Sequence, residues 1–147
     1  SGDLVIGSNA FKNSAVESVT IPKGTKKIDS NAFNGCTALG KGDEFTIGEL
    51  TLTEVEKIGE LAFGGCTGLV KLVLNASVNL ENGDVKEKAF NACTGITEVK
   101  VGDKVIIDKN NPMIKDGSLA KIFSGLSDKL YKDAKTEDPE LPVEPAE

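Results

Sequence analysis

The sequence predicts a repeat solenoid, a stack of short β-strands with four repeats and a C-terminal capping helix. Three features of the 147-residue chain predict this fold. A cassette centred on Ala-Phe recurs four times, and a unit that recurs at this scale indicates stacked copies. A short segment of alternating apolar and polar residues follows each cassette, as in half-buried strands. Only near the C-terminus does the apolar spacing change to that of a helix.

The cassette is clearest at residues 58–69, which read I-G-E-L-A-F-G-G-C-T-G-L. Close copies occupy residues 28–39 and 85–96, and a looser first copy occupies 6–16. Equivalent side chains on stacked strands lie about 4.8 Å apart, so each recurring apolar position should form a ladder through the core. The predicted ladders are Phe11, Phe33, Phe63 and Phe90, with Ala10, Ala32, Ala62 and Ala89 beside them; Ile28, Ile58 and Val85; and Leu39, Leu69 and Ile96.

Short strands are predicted on both sides of the cassettes, each with one buried face and one solvent face. The predicted strands cover residues 19–21, 25–28, 50–52, 55–58, 72–74 and 99–101. The spacing between cassettes is uneven, and the extra residues fall near 40–47 and 75–84. Repeats accommodate extra residues outside the stack, so both inserts are predicted to be surface loops.

The C-terminal region departs from the cassette pattern. Its apolar residues share one face of a predicted helix at 118–131, with Ser118 as its N-cap. The predicted domains are therefore a solenoid at 3–114, a capping helix at 115–132 and an acidic, Pro-rich tail or linker at 133–147. The helix should cover the last repeat. The first cassette shows no comparable cap, and we expect further repeats before residue 3 in the natural protein.

Cys36, Cys66 and Cys93 occupy the same phase of three cassettes. Their number is odd, the chain has no His, and no CxxC pair is present, so neither a full disulfide set nor a metal site is indicated. We expect buried free thiols that pack as small apolar groups. A disulfide between adjacent rungs remains the alternative, although in-register rungs rarely offer its geometry.

The composition excludes several function classes. The absence of His removes His-based catalytic triads, and no other catalytic, metal or cofactor site is indicated, so the chain is expected not to be an enzyme. All 17 basic residues are Lys, and the body outside the acidic tail is nearly neutral, which argues against nucleic-acid binding. No apolar run is long enough for membrane insertion, and no signal peptide opens the chain.

The pattern I-G-x-x-A-F-x-G-C-T-x-L resembles the leucine-rich repeats of the BspA type over roughly residues 4–107. The second copy departs from it by Asp29, the fourth by Lys86 and Ala92, and the first lacks the Cys. The resemblance implies a leucine-rich-repeat-like, right-handed stack. It also implies an exported protein, secreted or on the cell surface of a bacterium, with its signal peptide removed. The family contributes no catalytic residues.

The predicted function is a non-enzymatic cell-surface binding or adhesion module with an extended β face for protein or glycan ligands. The expected partner is a host or matrix protein or glycan. The alternative is a structural spacer that holds another domain away from the cell envelope. The candidate binding face consists of Thr20, Thr51, Val73, Lys71, Lys100 and Phe45. Phe45 lies in the first insert, and it either joins this face or packs back on its own repeat.

Overall fold

The computed structural model describes residues 3–42 and 48–133. Short strands dominate it, and helical residues appear only near the C-terminal end of this range. The elements are β1 (Leu4–Ile6), β2 (Thr25–Ile28), β3 (Glu49–Leu52), β4 (Lys57–Ile58), β5 (Lys71–Leu74), β6 (Glu98–Val101), β7 (Lys104–Ile107), β8 (Met113–Ile114), α1 (Ser118–Ile122), a 3₁₀ turn (Asp128–Leu130) and β9 (Tyr131–Lys132).

Two parallel ladders run through the stack of copies. The first has the order β1-β2-β4 and continues to Val85 through a single parallel bridge from Ile58. The second has the order β3-β5-β6, and β7 returns antiparallel beside β6. Ile28 pairs with Ile58, and Ile58 bridges to Val85, which confirms the predicted ladder of these three residues. Ile6 extends this ladder by pairing with Ile28. Consecutive copies therefore lie on one another in register.

Stacked phenylalanine rings form the centre of the core. The centroids of Phe11, Phe33, Phe63 and Phe90 are 5.1, 5.1 and 5.2 Å apart, and neighbouring rings are within 12° of parallel. The alanine before each interior ring is fully buried, which leaves no volume there for a larger side chain. The predicted spine is confirmed. Its first ring differs from the others because Phe11 is 42% exposed.

A fifth ring extends the spine and corrects the predicted C-terminal helix. Phe123 stacks on Phe90 with a centroid distance of 5.3 Å and is fully buried. The helix covers only Ser118–Ile122, so the prediction of helix to residue 131 is wrong. It ends because Phe123 leaves helical geometry (φ −109°, ψ 55°) to place its ring in the stack. Ser118 is not the cap either, since Gly117 holds that position without a side-chain hydrogen bond.

Two strand predictions also fail. Residues 19–21 form no ladder, and β4 begins at Lys57 instead of residue 55. The described residues of the first insert bond to the chain just before residues 19–21. Gly40 and Gly42 donate to the Glu17 carbonyl at 2.9 and 3.0 Å, and Gly48 donates in turn to the Gly40 carbonyl at 2.5 Å. In the described residues, hydrogen bonds therefore run from the first copy to the insert, and from the insert to Gly48, the residue before β3. The central residues of the insert, 43–47, lie outside the described residues.

The second insert is a loop, as predicted. Residues 75–84 contain turns and no strand or helix. Three asparagine side chains support it, since each accepts a hydrogen bond from the N–H two residues later at 2.8–3.0 Å. These local bonds are typical of Asx turns. The three residues are Asn75, Asn79 and Asn82.

Candidate binding face

The second ladder presents two columns of outward side chains. Alternation along β3, β5 and β6 turns Leu50, Leu72 and Val99 into the core and the residues on either side of them outward. The parallel register then aligns the outward residues across the strands. One column is Glu49, Lys71 and Glu98, and the other is Thr51, Val73 and Lys100.

Four of the six predicted face residues therefore lie on this surface. Thr51 and Lys71 are exposed, and Val73 and Lys100 are half-buried. Thr20 is exposed but belongs to no strand, and it lines an open cleft of about 360 Å³ together with Thr51. Phe45 lies outside the described residues. We call the two columns of β3, β5 and β6 the outer face.

A further cleft of about 410 Å³ opens at the start of β5 and β6. It contains Lys71 of the outer face together with Lys109 and Lys129, which the sequence analysis did not single out. Lys109 follows β7 and Lys129 lies in the 3₁₀ turn, so only the chain's return path brings them to Lys71. We call this cleft, defined by Lys71, Lys109 and Lys129, the lysine cleft.

A larger concavity, about 680 Å³, lies on the other ladder and is bordered by the second insert. Its charged lining alternates in sign, with Lys27, Lys86 and Lys121 among four carboxylates. On the outer side of this insert Lys57 contacts Asp84 at 2.5 Å. That hydrogen bond lowers the pKa of the Asp84 carboxyl. Within the concavity Lys27 contacts Asp29 at 3.3 Å, and its described lining shows no grouping of one charge.

The three cysteines are buried and unbridged, as predicted. Each thiol donates to the phenylalanine carbonyl of the preceding copy: Cys36 to Phe11 at 3.0 Å, Cys66 to Phe33 at 3.2 Å and Cys93 to Phe63 at 2.9 Å. Burial raises the pKa of the Cys36 thiol, and the neighbouring Cys93 thiol together with burial raises the pKa of Cys66. Protonated, enclosed thiols are poor nucleophiles, so this row is structural.

Residues 3–42 and 48–133 contain neither a group of side chains suited to a metal ion nor a helix that could span a membrane.

Comparison with known proteins identifies the repeat. The family model described as a BspA type leucine-rich repeat region matches residues 4–123 in six copies, whereas the cassette pattern predicts four. Its range ends at Phe123, the fifth stacked ring. Comparisons with curated proteins and with solved structures find no match. With most of its length matched, the chain belongs to the BspA-type leucine-rich repeat family.

Proposed function

We propose that this chain is a non-enzymatic binding module of a secreted or cell-surface bacterial protein, and that the outer face is where its ligand binds. The expected ligand is a host or matrix protein or glycan. We also infer that the stacked copies form a right-handed leucine-rich-repeat solenoid. Repeat stacks of this kind commonly use rows of aligned side chains as extended binding surfaces.

The observation that supports this most is the unbroken register of the outer face. Thr51, Val73 and Lys100 follow one another across three hydrogen-bonded strands. Their neighbours Leu50, Leu72 and Val99 are buried in the core, which holds each strand in place. A surface fixed in this way loses little conformational entropy on binding.

The same face carries mixed chemistry. Its members include carboxylates, ammonium groups, a hydroxyl and a half-buried valine. Absence of Arg and a formal net charge of −6 make nucleic acid a poor partner. A protein or glycan ligand suits a polar face with a few apolar contacts.

The test is binding of the full chain to an array of matrix proteins and glycans, followed by affinity measurement with a face variant. The face variant carries Thr51→Ala, Val73→Thr and Lys100→Gln. We expect its affinity to fall roughly tenfold or more, since a few central residues carry most binding energy. A matched control changes exposed residues elsewhere, with Thr37→Ala, Thr94→Ala and Lys12→Gln, and should bind like the original chain.

Two outcomes would contradict the proposal. If the face variant and the control bind equally well, the ligand uses another surface. If the folded chain binds nothing on the array, the module is better explained as a spacer that holds another domain away from the envelope.

A further inference from the structure

Three lysines line the lysine cleft, and none of them forms an ion pair with another described residue. In the described part of the chain, no carboxylate lies within 4.0 Å of the Nζ atoms of Lys71, Lys109 or Lys129. By contrast, Lys27 and Lys57 elsewhere on the surface each contact an aspartate. Three ammonium groups on side chains that line one cavity would all attract an anion bound there. The cleft is therefore prepared for a negatively charged group.

The two carboxylates of the cleft do not compete equally for these lysines. Asp108 is held by its own turn, because its Oδ1 accepts hydrogen bonds from the Asn110 N–H and from Asn111 Nδ2, both at 2.9 Å. Glu98 is half-buried and is the cross-strand partner of Lys71. It supplies an acceptor at the rim, where a ligand hydroxyl could donate.

The remaining lining of the cleft combines hydroxyl groups with buried apolar side chains. Thr97 and Ser127 contribute hydroxyls, and the buried side chains of Ile96 and Leu130 form the floor. Cationic donors, a carboxylate acceptor, hydroxyls and a small apolar floor together match a ligand that has an acidic group, hydroxyls and C–H surface on one compact ring. An inorganic anion would use only the lysines.

An extended acidic peptide fits the site less well. Peptides commonly bind a sheet by adding a strand to a free edge. Beside this cleft β5 lies between β3 and β6, and β6 lies between β5 and β7, so both strands already have their ladder bonds. The cleft volume of about 410 Å³ is within the range of small-ligand sites.

We propose that the lysine cleft binds an acidic saccharide, a sugar that carries a carboxylate or a sulfate ester, and that it is the anchoring subsite of the outer face. This rests on the proposed function, because Lys71 belongs to both. Lys71, Lys109 and Lys129 hold the acidic group, Glu98 accepts from a ring hydroxyl, and Ile96 and Leu130 contact the ring.

The test is calorimetric titration of the full chain at low and at physiological ionic strength. The probes are a sulfated, uronate-containing disaccharide, a neutral disaccharide, inorganic sulfate and a tetraglutamate peptide. We expect binding of the acidic disaccharide only, weaker at higher salt because the attraction is screened. The cleft variant Lys71→Gln, Lys109→Gln, Lys129→Gln should lose roughly tenfold or more in affinity, as expected for lost hydrogen bonds to a charged group.

The control Lys12→Gln, Lys23→Gln, Lys104→Gln makes the same change in net charge at exposed lysines outside the cleft, and it should keep the affinity. The inference is overturned if inorganic sulfate binds as tightly as the acidic disaccharide, if tetraglutamate binds more tightly, if the cleft and control variants behave alike, or if no probe binds. If no sugar binds but binding to the array still depends on Thr51, Val73 and Lys100, the proposal for the cleft fails and the proposed function stands. If the sugar binds through the cleft but the face variant changes the affinity for no ligand, the outer face is not the binding surface.

Discussion

Residues with left-handed backbone angles lie on both sides of each Ala-Phe pair in the four cassettes. The residue two places before the ring has φ between 58° and 66° in Asn9, Asn31, Leu61 and Lys88. The residue two places after it is also left-handed, with φ between 59° and 84° in Asn13, Gly35, Gly65 and Ala92. These turns aim the ring inward from both sides. Asn and Gly adopt such angles at little cost, whereas Leu61, Lys88 and Ala92 are strained.

The turn after the ring offers a direct test of this strain. Gly65→Ala should lower the free energy of unfolding by about 1 kcal/mol, and Ala92→Gly should raise it by up to about 1 kcal/mol. A Cβ at Gly65 would have its nearest neighbour 3.9 Å away, so only the backbone angle of 71° is at issue. The measurement is the denaturant midpoint at constant m-value. Gly7→Ala is the control, since it has open space and no left-handed angle, and an equal loss there would contradict the explanation.

The buried thiols predict a dependence of stability on pH. Cys66 has a raised pKa in the folded chain, while an unfolded thiol titrates near pH 8.5. Above that pH the unfolded chain loses the proton and the folded chain keeps it, so stability falls as pH rises, by about 1.4 kcal/mol per pH unit for each such thiol. Urea denaturation between pH 7 and pH 10 should show a shallower decline for Cys66→Ala than for the original chain. If the free energy of unfolding declines equally with pH in both proteins, Cys66 is not the source of the pH dependence.

At the scale of elements, the spine stabilises the stack ring by ring. Phe63 lies between two rings and is fully buried, whereas Phe11 has one ring partner and is 42% exposed. Phe63→Ala should lower the free energy of unfolding by about 3–5 kcal/mol, and Phe11→Ala by clearly less, because folding removes less of the Phe11 ring from water. Denaturant unfolding of both variants measures the difference. Equal losses would mean that the rings contribute through something other than burial.

The C-terminal end is closed by a tyrosine. The Tyr131 hydroxyl donates to the Phe123 carbonyl and accepts from the Leu126 N–H at 2.9 Å, so β9 is tied to the fifth ring. Tyr131→Phe keeps the ring and leaves two partly buried backbone groups without this partner, which should cost about 1–3 kcal/mol. Thermal unfolding measures it. The nearby exposed change Lys129→Gln should leave the melting temperature unchanged, and a similar shift in both would rule out the hydroxyl as the cause.

At the scale of the whole molecule, the two ends of the described stack differ. Within the described ranges the large apolar side chains that remain exposed are Leu4 and Val5 of β1 and Phe11 of the first copy, at 48%, 53% and 42%. At the other end Phe123 is fully buried beneath the Tyr131 closure. Each interior copy is held from both sides, while the first copy is held from one.

Local stability should therefore rise from the first copy inward. The amides of Phe11 and Asn13 donate to Ala32 and Asn34, and those of Phe33 and Gly35 make the equivalent bonds to the next copy, all at 2.7–2.8 Å. Because the bonds match, faster exchange at the first pair would report fraying of the open end. Native-state hydrogen exchange measures this. Equal protection at both pairs would mean that the whole stack opens as one unit.

The spine and its order follow from the repeated cassette, because copies repeated in phase leave one register in which every Phe meets a Phe. The sequence did not reveal the fifth ring, since Ile122 and Leu126 replace the usual Ala and Cys and their spacing imitates a helix. The alternation of residues 19–21 predicts a strand, but a strand also needs a hydrogen-bonded partner, and no described strand pairs with them. The lysine cleft was decided by the tertiary structure alone. Lys71, Lys109 and Lys129 come from three separate segments, and only the antiparallel return of β7 and the closing turn at 128–130 bring their charges together.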